Sequence, residues 1–207
     1  MTRVSPVQSI DVKSLFSSRF TEEETRSGSR VRLRVHLCGV VQGVGFRPFV
    51  HRIAERSGLC GFVRNNSSGV EIEAEGSYNQ MAQFFIALQD ESPPIAEIQH
   101  IDIDKLDPAG EAGFHVAQSM HSGLGASLIS PDVATCADCL HEMNDPCDRR
   151  YQYPFINCTN CGPRFTIIEQ VPYDRIHTTM RDFALCPSCA GEYADLRDRR
   201  YHAEPLA

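Results

Sequence analysis

Val41-Gln42-Gly43-Val44-Gly45-Phe46-Arg47 places two glycines and an arginine between a stretch with strand alternation and a stretch with helix spacing. Glycines let successive backbone N–H groups turn toward one point, a helix start adds partial positive charge, and a guanidinium offers a planar fork that matches phosphoryl oxygens. The segment therefore reads as an anion hole, and the chemistry it points to is phosphoryl chemistry. The bland alternative is a tight connection with Arg47 as a solvated surface residue.

Upstream, Val31, Leu33, Val35 and Leu37 alternate with Arg32, Arg34, His36 and Cys38, as a half-buried strand requires. Downstream, Phe46, Phe49, Val50, Ile53 and Ala54 recur at helical spacing, with Pro48 in a first turn and Gly58 just past the end. Leu59 to Asn65 reads as a second strand, Asn66-Ser67-Ser68-Gly69 as a turn, and Val70, Ile72 and Ala74 as the inward positions of a third. Ser77 and Gln80 form a capping box before a second helix carrying Met81, Phe84, Phe85 and Leu88. Ile98, Ile101 and Ile103 mark a fourth strand, and Phe114 to Ala117 a short fifth. The order β-α-β-β-α-β is the α+β, ferredoxin-like arrangement. Its right-handed crossover makes strands one and two run the same way, so the glycine loop and Asn65 finish at one edge of the sheet. Residues 1–29, rich in Ser, Thr and charge without periodicity, are expected to be a disordered extension, and 119–131 a linker between a domain at 30–118 and a cysteine-organised region at 132–207.

The loop Gly39-Val40-Val41-Gln42-Gly43-Val44-Gly45-Phe46-Arg47, followed by Gly61-Phe62-Val63-Arg64-Asn65, resembles the acylphosphatase signature. The resemblance implies hydrolysis of carboxyl-phosphate anhydrides without metal or covalent intermediate. It assigns phosphoryl binding to the loop Gln42, Gly43, Val44, Gly45, Phe46 and Arg47, and catalysis to Arg47 and Asn65. A neutral carboxamide at Asn65 can orient a water without needing a proton, and an acyl phosphate has a good leaving group. Asn66 is assigned to the turn. Cys38 and Cys60 read as buried thiols and His36 and His51 as structural.

Six of the nine cysteines fall in pairs separated by two residues. Cys136 and Cys139, then Cys158 and Cys161, form a four-thiolate pattern for a closed, structural Zn²⁺ site on which local folding depends. A shift of fifty residues superposes Cys136 on Cys186, Cys139 on Cys189, Glu142 on Glu192, and Asp148-Arg149-Arg150-Tyr151 on Asp198-Arg199-Arg200-Tyr201. The first unit spans 136–161 and the second 186–207. Cys186 and Cys189 form a second, incomplete zinc site, with His202 and Cys147 as weak substitute ligands and fraying expected near the end.

The whole chain carries a net charge of −7, and from Leu128 onward eight arginines face twelve acidic residues, a poor footprint for nucleic acid. No apolar run reaches the length of a membrane span and no secretory leader is visible, so a soluble, cytoplasmic protein is expected. Asn157-Cys158-Thr159-Asn160-Cys161-Gly162-Pro163-Arg164-Phe165-Thr166 and Tyr201-His202-Ala203-Glu204-Pro205 resemble the zinc region of the hydrogenase maturation carbamoyltransferases. That family resemblance implies an N-terminal fragment hydrolysing carbamoyl phosphate. In the full-length family the carbamoyl group then goes to the C-terminal cysteine of a hydrogenase maturation partner protein, toward the cyanide ligands of nickel-iron hydrogenase. Full transfer is not expected from this fragment. A free-standing acylphosphatase with a zinc appendage and a non-enzymatic zinc-binding interaction module remain as alternatives.

Overall fold

A computed structural model describes residues 10–22, 25, 28, 30–120 and 132–206. The elements are α1 (Val12–Ser17), β1 (Arg30–Val40), α2 (Phe46–Arg56), β2 (Cys60–Asn66), β3 (Gly69–Ser77), α3 (Tyr78–Asp90), β4 (Glu97–Leu106), β5 (Phe114–Val116), α4 (Ala137–Asn144) and α5 (Pro187–Ala194). Single 3₁₀ turns stand at Phe165–Ile167 and Arg175–His177.

The sheet order is β4-β1-β3-β2-β5. β1 and β2 each pair antiparallel with β3, so they run parallel to one another, and β5 adds to β2 in parallel. Alternation decides the faces. Leu33, Val35 and Leu37 of β1 and Val70, Ile72 and Ala74 of β3 are fully buried beneath Val50 and Ala54 of α2 and Phe84, Phe85 and Leu88 of α3. The opposite face carries ion pairs in place of a second apolar layer: Arg32 and Arg34 reach Glu73 at 2.6 and 2.7 Å, and Arg64 reaches Glu71 at 2.8 Å. Cys38 lies on this face, only half-buried, with its sulfur 3.6 Å from the His36 ring. The expectation that it is a buried thiol is corrected by that lateral position. Cys60 is likewise half-buried.

Part of the expected disordered extension is ordered. α1 is capped by Asp11, whose carboxylate accepts from the Ser14 N–H, and its Phe16 stacks on Phe85 at 4.6 Å between ring centres. Six residues are too few to hold a helix alone. Docking holds it: Val12 and Phe16 are buried on α3, each burial contributing about 1.5–3 kcal/mol, and Lys13 pairs with Asp90 at 2.8 Å. The capping box at Ser77 and Gln80 is formed in both directions. Of the expected linker, 119–131, residues 121–131 lie outside the described residues. No helix among the described residues is long and apolar enough to cross a membrane.

Candidate active site and metal centre

The chain leaves β1, turns through Gly43 (φ 70°) and Gly45 (φ 74°), and enters α2 with Gly45 as the N-cap. Both glycines hold a left-handed backbone that other residues resist, and both face the C-terminal region closely. A Cβ at Gly43 would stand 2.8 Å from the Tyr173 ring and 2.9 Å from Pro163, and one at Gly45 would stand 2.9 Å from Thr159. The loop is thus roofed by the cysteine-organised region, although over a hundred residues separate them.

Arg47 lies in the first turn of α2 and is nearly buried, and its Nη2 donates to Asp174 Oδ1 at 3.3 Å. Arg47 is therefore no solvated surface residue. A small cavity of about 20 Å³ is lined by Gly43, Gly45, Arg47, Asn157, Tyr201 and His202. An open cleft of about 430 Å³ shares Arg47, Tyr201 and His202 with it and adds Asp174, Gln118 and Ser119.

Asn65 shares the helix-covered face of β2 with Val63, alternating with Phe62 and Arg64. Its side chain is fully buried, and neither carboxamide atom has a hydrogen-bond partner among the described residues. Asn66 does the turn's work, its Oδ1 accepting from the N–H groups of Ser68 and Gly69 at 2.9 Å. Gln42 has a bracing role that the sequence pattern does not reveal. Its Nε2 donates to the carbonyls of Asn66 and Gly69 at 2.8 Å, and its Oε1 accepts from the Tyr173 N–H at 3.1 Å. One side chain ties the loop to the end of β2 and to the roof, which leaves the backbone, and not this carboxamide, for an anion.

Cys136, Cys139, Cys158 and Cys161 converge with all four sulfurs within 4.8 Å of one another. The sulfurs of Cys136 and Cys158 are 3.7 Å apart and those of Cys158 and Cys161 3.8 Å. A tetrahedron with Zn–S near 2.3 Å has edges of about 3.8 Å, so these residues fit a closed zinc site. The Cys136 N–H also donates to the Cys161 sulfur at 3.2 Å.

The fifty-residue repeat extends to backbone detail. α5 spans the positions fifty residues beyond those of α4, and left-handed Gln152 and His202 bond back to Met143 and Tyr193 at corresponding positions. The two arginine pairs cross over between units. Arg199 donates to the sulfurs of Cys139 at 3.1 Å and Cys136 at 4.0 Å, while Arg149 donates to Cys189 at 3.4 Å and Cys186 at 3.8 Å. Arg199 and Arg200 also engage Glu142, and Arg149 and Arg150 engage Glu192. Groups that hydrogen-bond to ligating atoms typically change metal affinity by roughly 10–100-fold. Arg199→Gln is expected to weaken zinc at the four-cysteine site by about that factor, read by competition with a chromogenic chelator; unchanged affinity would make the contact incidental.

Among the described residues, no third ligand atom joins Cys186 and Cys189. The sequence's weak substitutes are corrected here: His202 clusters instead with Asp174 and Glu204, ligand atoms within 4.8 Å, and Cys147 is exposed. A backbone bond from the His202 N–H to the Tyr193 carbonyl closes the chain after α5, and His202 lines the small cavity together with Arg47. Glu204 is fully buried. Its Oε2 accepts from the Tyr193 hydroxyl at 2.7 Å, while its Oε1 stands 3.8 Å from His202 Nδ1, and neither of these two atoms has a hydrogen-bond partner among the described residues. Burial pushes the Glu204 carboxyl up to about 8 against the Tyr193 bond and the Arg47 charge, and burial followed by Arg47 holds His202 down at about 4.

These shifts have opposite signs in stability. Glu204 keeps in the fold a proton that the unfolded chain releases, so its contribution is full below about 4.5 and is lost as pH rises toward about 8. His202 stays neutral in the fold, so its contribution is present above 6.5 and lost on acidification toward about 4. Between pH 6.5 and 8 Glu204 is the group of this pair that changes. The thermal midpoint of Glu204→Gln is expected to fall less than that of wild type over this interval, by the equivalent of roughly 1–2 kcal/mol. Parallel profiles would contradict the buried acid.

Comparison with known proteins follows the same division. Residues 33–116 match the family described as Acylphosphatase, and residues 135–168 and 185–207 match the HypF finger. The acylphosphatase of Caldivirga maquilingensis is 39% identical over 92 residues, 43% of this chain and 96% of that protein. The chain belongs to the acylphosphatase family. Its acylphosphatase unit is joined to a HypF finger, and the combination is that of the N-terminal part of the HypF carbamoyltransferases. The carbamoyltransferase HypF of Rhodobacter capsulatus is 46% identical over 176 residues, covering 84% of this chain and 23% of that protein. A crystal structure of full-length HypF in the phosphate- and nucleotide-bound form superposes with a TM-score of 0.80 at 46% identity, over 86% of this chain and 24% of that one. The chain thus spans about a quarter of the HypF relatives it matches.

Proposed function

We propose that the acylphosphatase unit hydrolyses an acyl phosphate, with carbamoyl phosphate as the substrate in the HypF setting. The reading is carried by Arg47, which stands almost buried in the first turn of a helix entered through two left-handed glycines. The N–H groups of residues 43–47 and the guanidinium hold the phosphoryl oxygens, where fixed donors act on charge that spreads in the transition state. Asn65, buried on the face that α2 covers, orients water through its carboxamide. The water oxygen bonds to phosphorus as the bond from phosphorus to the acyl oxygen breaks. The electron pair leaves with the carboxylate or carbamate, and the water proton passes to the phosphate or to solvent. Because that leaving group is a weak base, no acid need be supplied.

In the same reading Cys136, Cys139, Cys158 and Cys161 hold a structural Zn²⁺ that keeps the roof over the loop, and the protein works in the cytoplasm. Carbamoyl transfer to a maturation partner requires the remainder of a HypF protein. The test is phosphate release from carbamoyl phosphate by wild type and Arg47→Gln: an arginine-dependent rate supports the reading, whereas no release or equal rates favour the non-enzymatic interaction module.

A further inference from the structure

The segment that joins the two HypF-finger stretches, residues 169–184, contributes a carboxylate to the acylphosphatase site. Asp174 lies in the same open cleft as Arg47, Tyr201 and His202, and touches only one terminal nitrogen of the guanidinium. The rest of the fork remains available to phosphoryl oxygens. Beside Asp174, within 4.8 Å, stand ligand atoms of His202 and Glu204, and His202 Nδ1 and Glu204 Oε1 face each other at 3.8 Å without a hydrogen-bond partner among the described residues. Arg47 therefore has the loop's donors on one side of it and, across the pair, the Asp174 carboxylate with His202 and Glu204 behind it.

We propose that Asp174 is a specificity-determining residue that selects acyl phosphates whose acyl group carries N–H donors. This rests on the hydrolase reading of the Arg47 site. A substrate with a phosphoryl group at one end and a carbamoyl NH₂ at the other replaces both halves of the Arg47–Asp174 pair: its oxygens accept from the guanidinium and its N–H donates to the carboxylate. An acyl phosphate ending in methyl satisfies only Arg47 and leaves a partly desolvated carboxylate against carbon. Sites with committed polar groups reject such analogues strongly, because the penalty is an unpaired charge and not merely a missing contact.

Carbamoyl phosphate and acetyl phosphate differ at this position by NH₂ against CH₃, which makes their ratio of kcat/KM the readout. Wild type is expected to favour carbamoyl phosphate at least tenfold, and Asp174→Ala to reduce that ratio at least tenfold. Asp174→Asn keeps one acceptor oxygen and should give an intermediate ratio. Asp174 caps the Arg175–His177 turn without a side-chain hydrogen bond, so neither variant removes a cap, and zinc content checks the fold of each. Inhibition by inorganic phosphate, which has no acyl group, gives a second reading: it should tighten in Asp174→Ala as Arg47 ceases to be shared.

An unchanged ratio, with release still dependent on Arg47, overturns this inference alone. Equal acceleration of both substrates in Asp174→Ala also overturns it, because Asp174 would then only mask Arg47. Wild type inactive on both substrates, or release indifferent to Arg47→Gln, removes the hydrolase reading beneath it.

Discussion

Arg47→Gln is expected to slow phosphate release from carbamoyl phosphate by roughly 10²–10³-fold, the loss usual when one fixed donor to a developing negative charge is removed. The loss should fall chiefly on kcat. Glutamine keeps a hydrogen-bonding end but neither the charge nor the planar fork that spans two phosphoryl oxygens. The glycine-turn amides remain, so residual binding of phosphate should survive. Asn65→Ala should cost a comparable factor for a different reason: it leaves the anion-binding donors intact and removes only the group that aims water. Phosphate inhibition separates the two variants, weakening in Arg47→Gln and holding in Asn65→Ala. If both variants weaken phosphate equally, Asn65 is part of the anion cradle and the division of roles is wrong.

The second large effect concerns the metal. Cys139 and Cys158 are buried in a small cluster with Cys161 and Ile156, separate from the main core formed by the sheet and its helices. So small a cluster cannot fold by apolar burial alone, whereas structural zinc supplies apparent binding free energies of about 10–16 kcal/mol. Cys158→Ser, or chelation, is therefore expected to unfold residues 132–206 and leave 30–116 folded on its own core. Hydrogen exchange should show protection lost at Gln152, Thr159 and Cys161, whose amides bond within the finger region, and retained along β1 and β3. The glycine loop should become more exposed as Thr159, Pro163 and Tyr173 withdraw from it. Protection of the finger that persists after metal removal would contradict the zinc-dependent fold.

What was legible in the sequence was what is local. Strand alternation from Val31 to Leu37, the Ser77–Gln80 box and the turn at Asn66 each rest on neighbours a few residues away, and each has its counterpart in the structure. The cysteine spacing likewise encodes its own geometry. Contacts between distant segments were not legible. Nothing in the neighbourhood of Asp174 announces that it will meet an arginine 127 residues earlier, and Gln42 reads as one more loop residue until its partners at Asn66, Gly69 and Tyr173 are seen. The repeated Asp-Arg-Arg-Tyr was visible as a repeat, but its use, with each arginine pair bonded to the other unit's thiols, follows only from how the two units pack. Helix α1 escaped for the same reason: its stability lies in α3, not in its six residues.

The account depends on a tetrahedral anion sitting between Arg47 and Asn65, and a crystal structure of this chain with phosphate bound tests it directly. The account predicts the ion on the amides of residues 43–47, with Arg47 directing its fork to the phosphate oxygens and the Asn65 carboxamide within one water of phosphorus. Phosphate bound elsewhere, or Asn65 turned toward the apolar core with the ion in place, would contradict it.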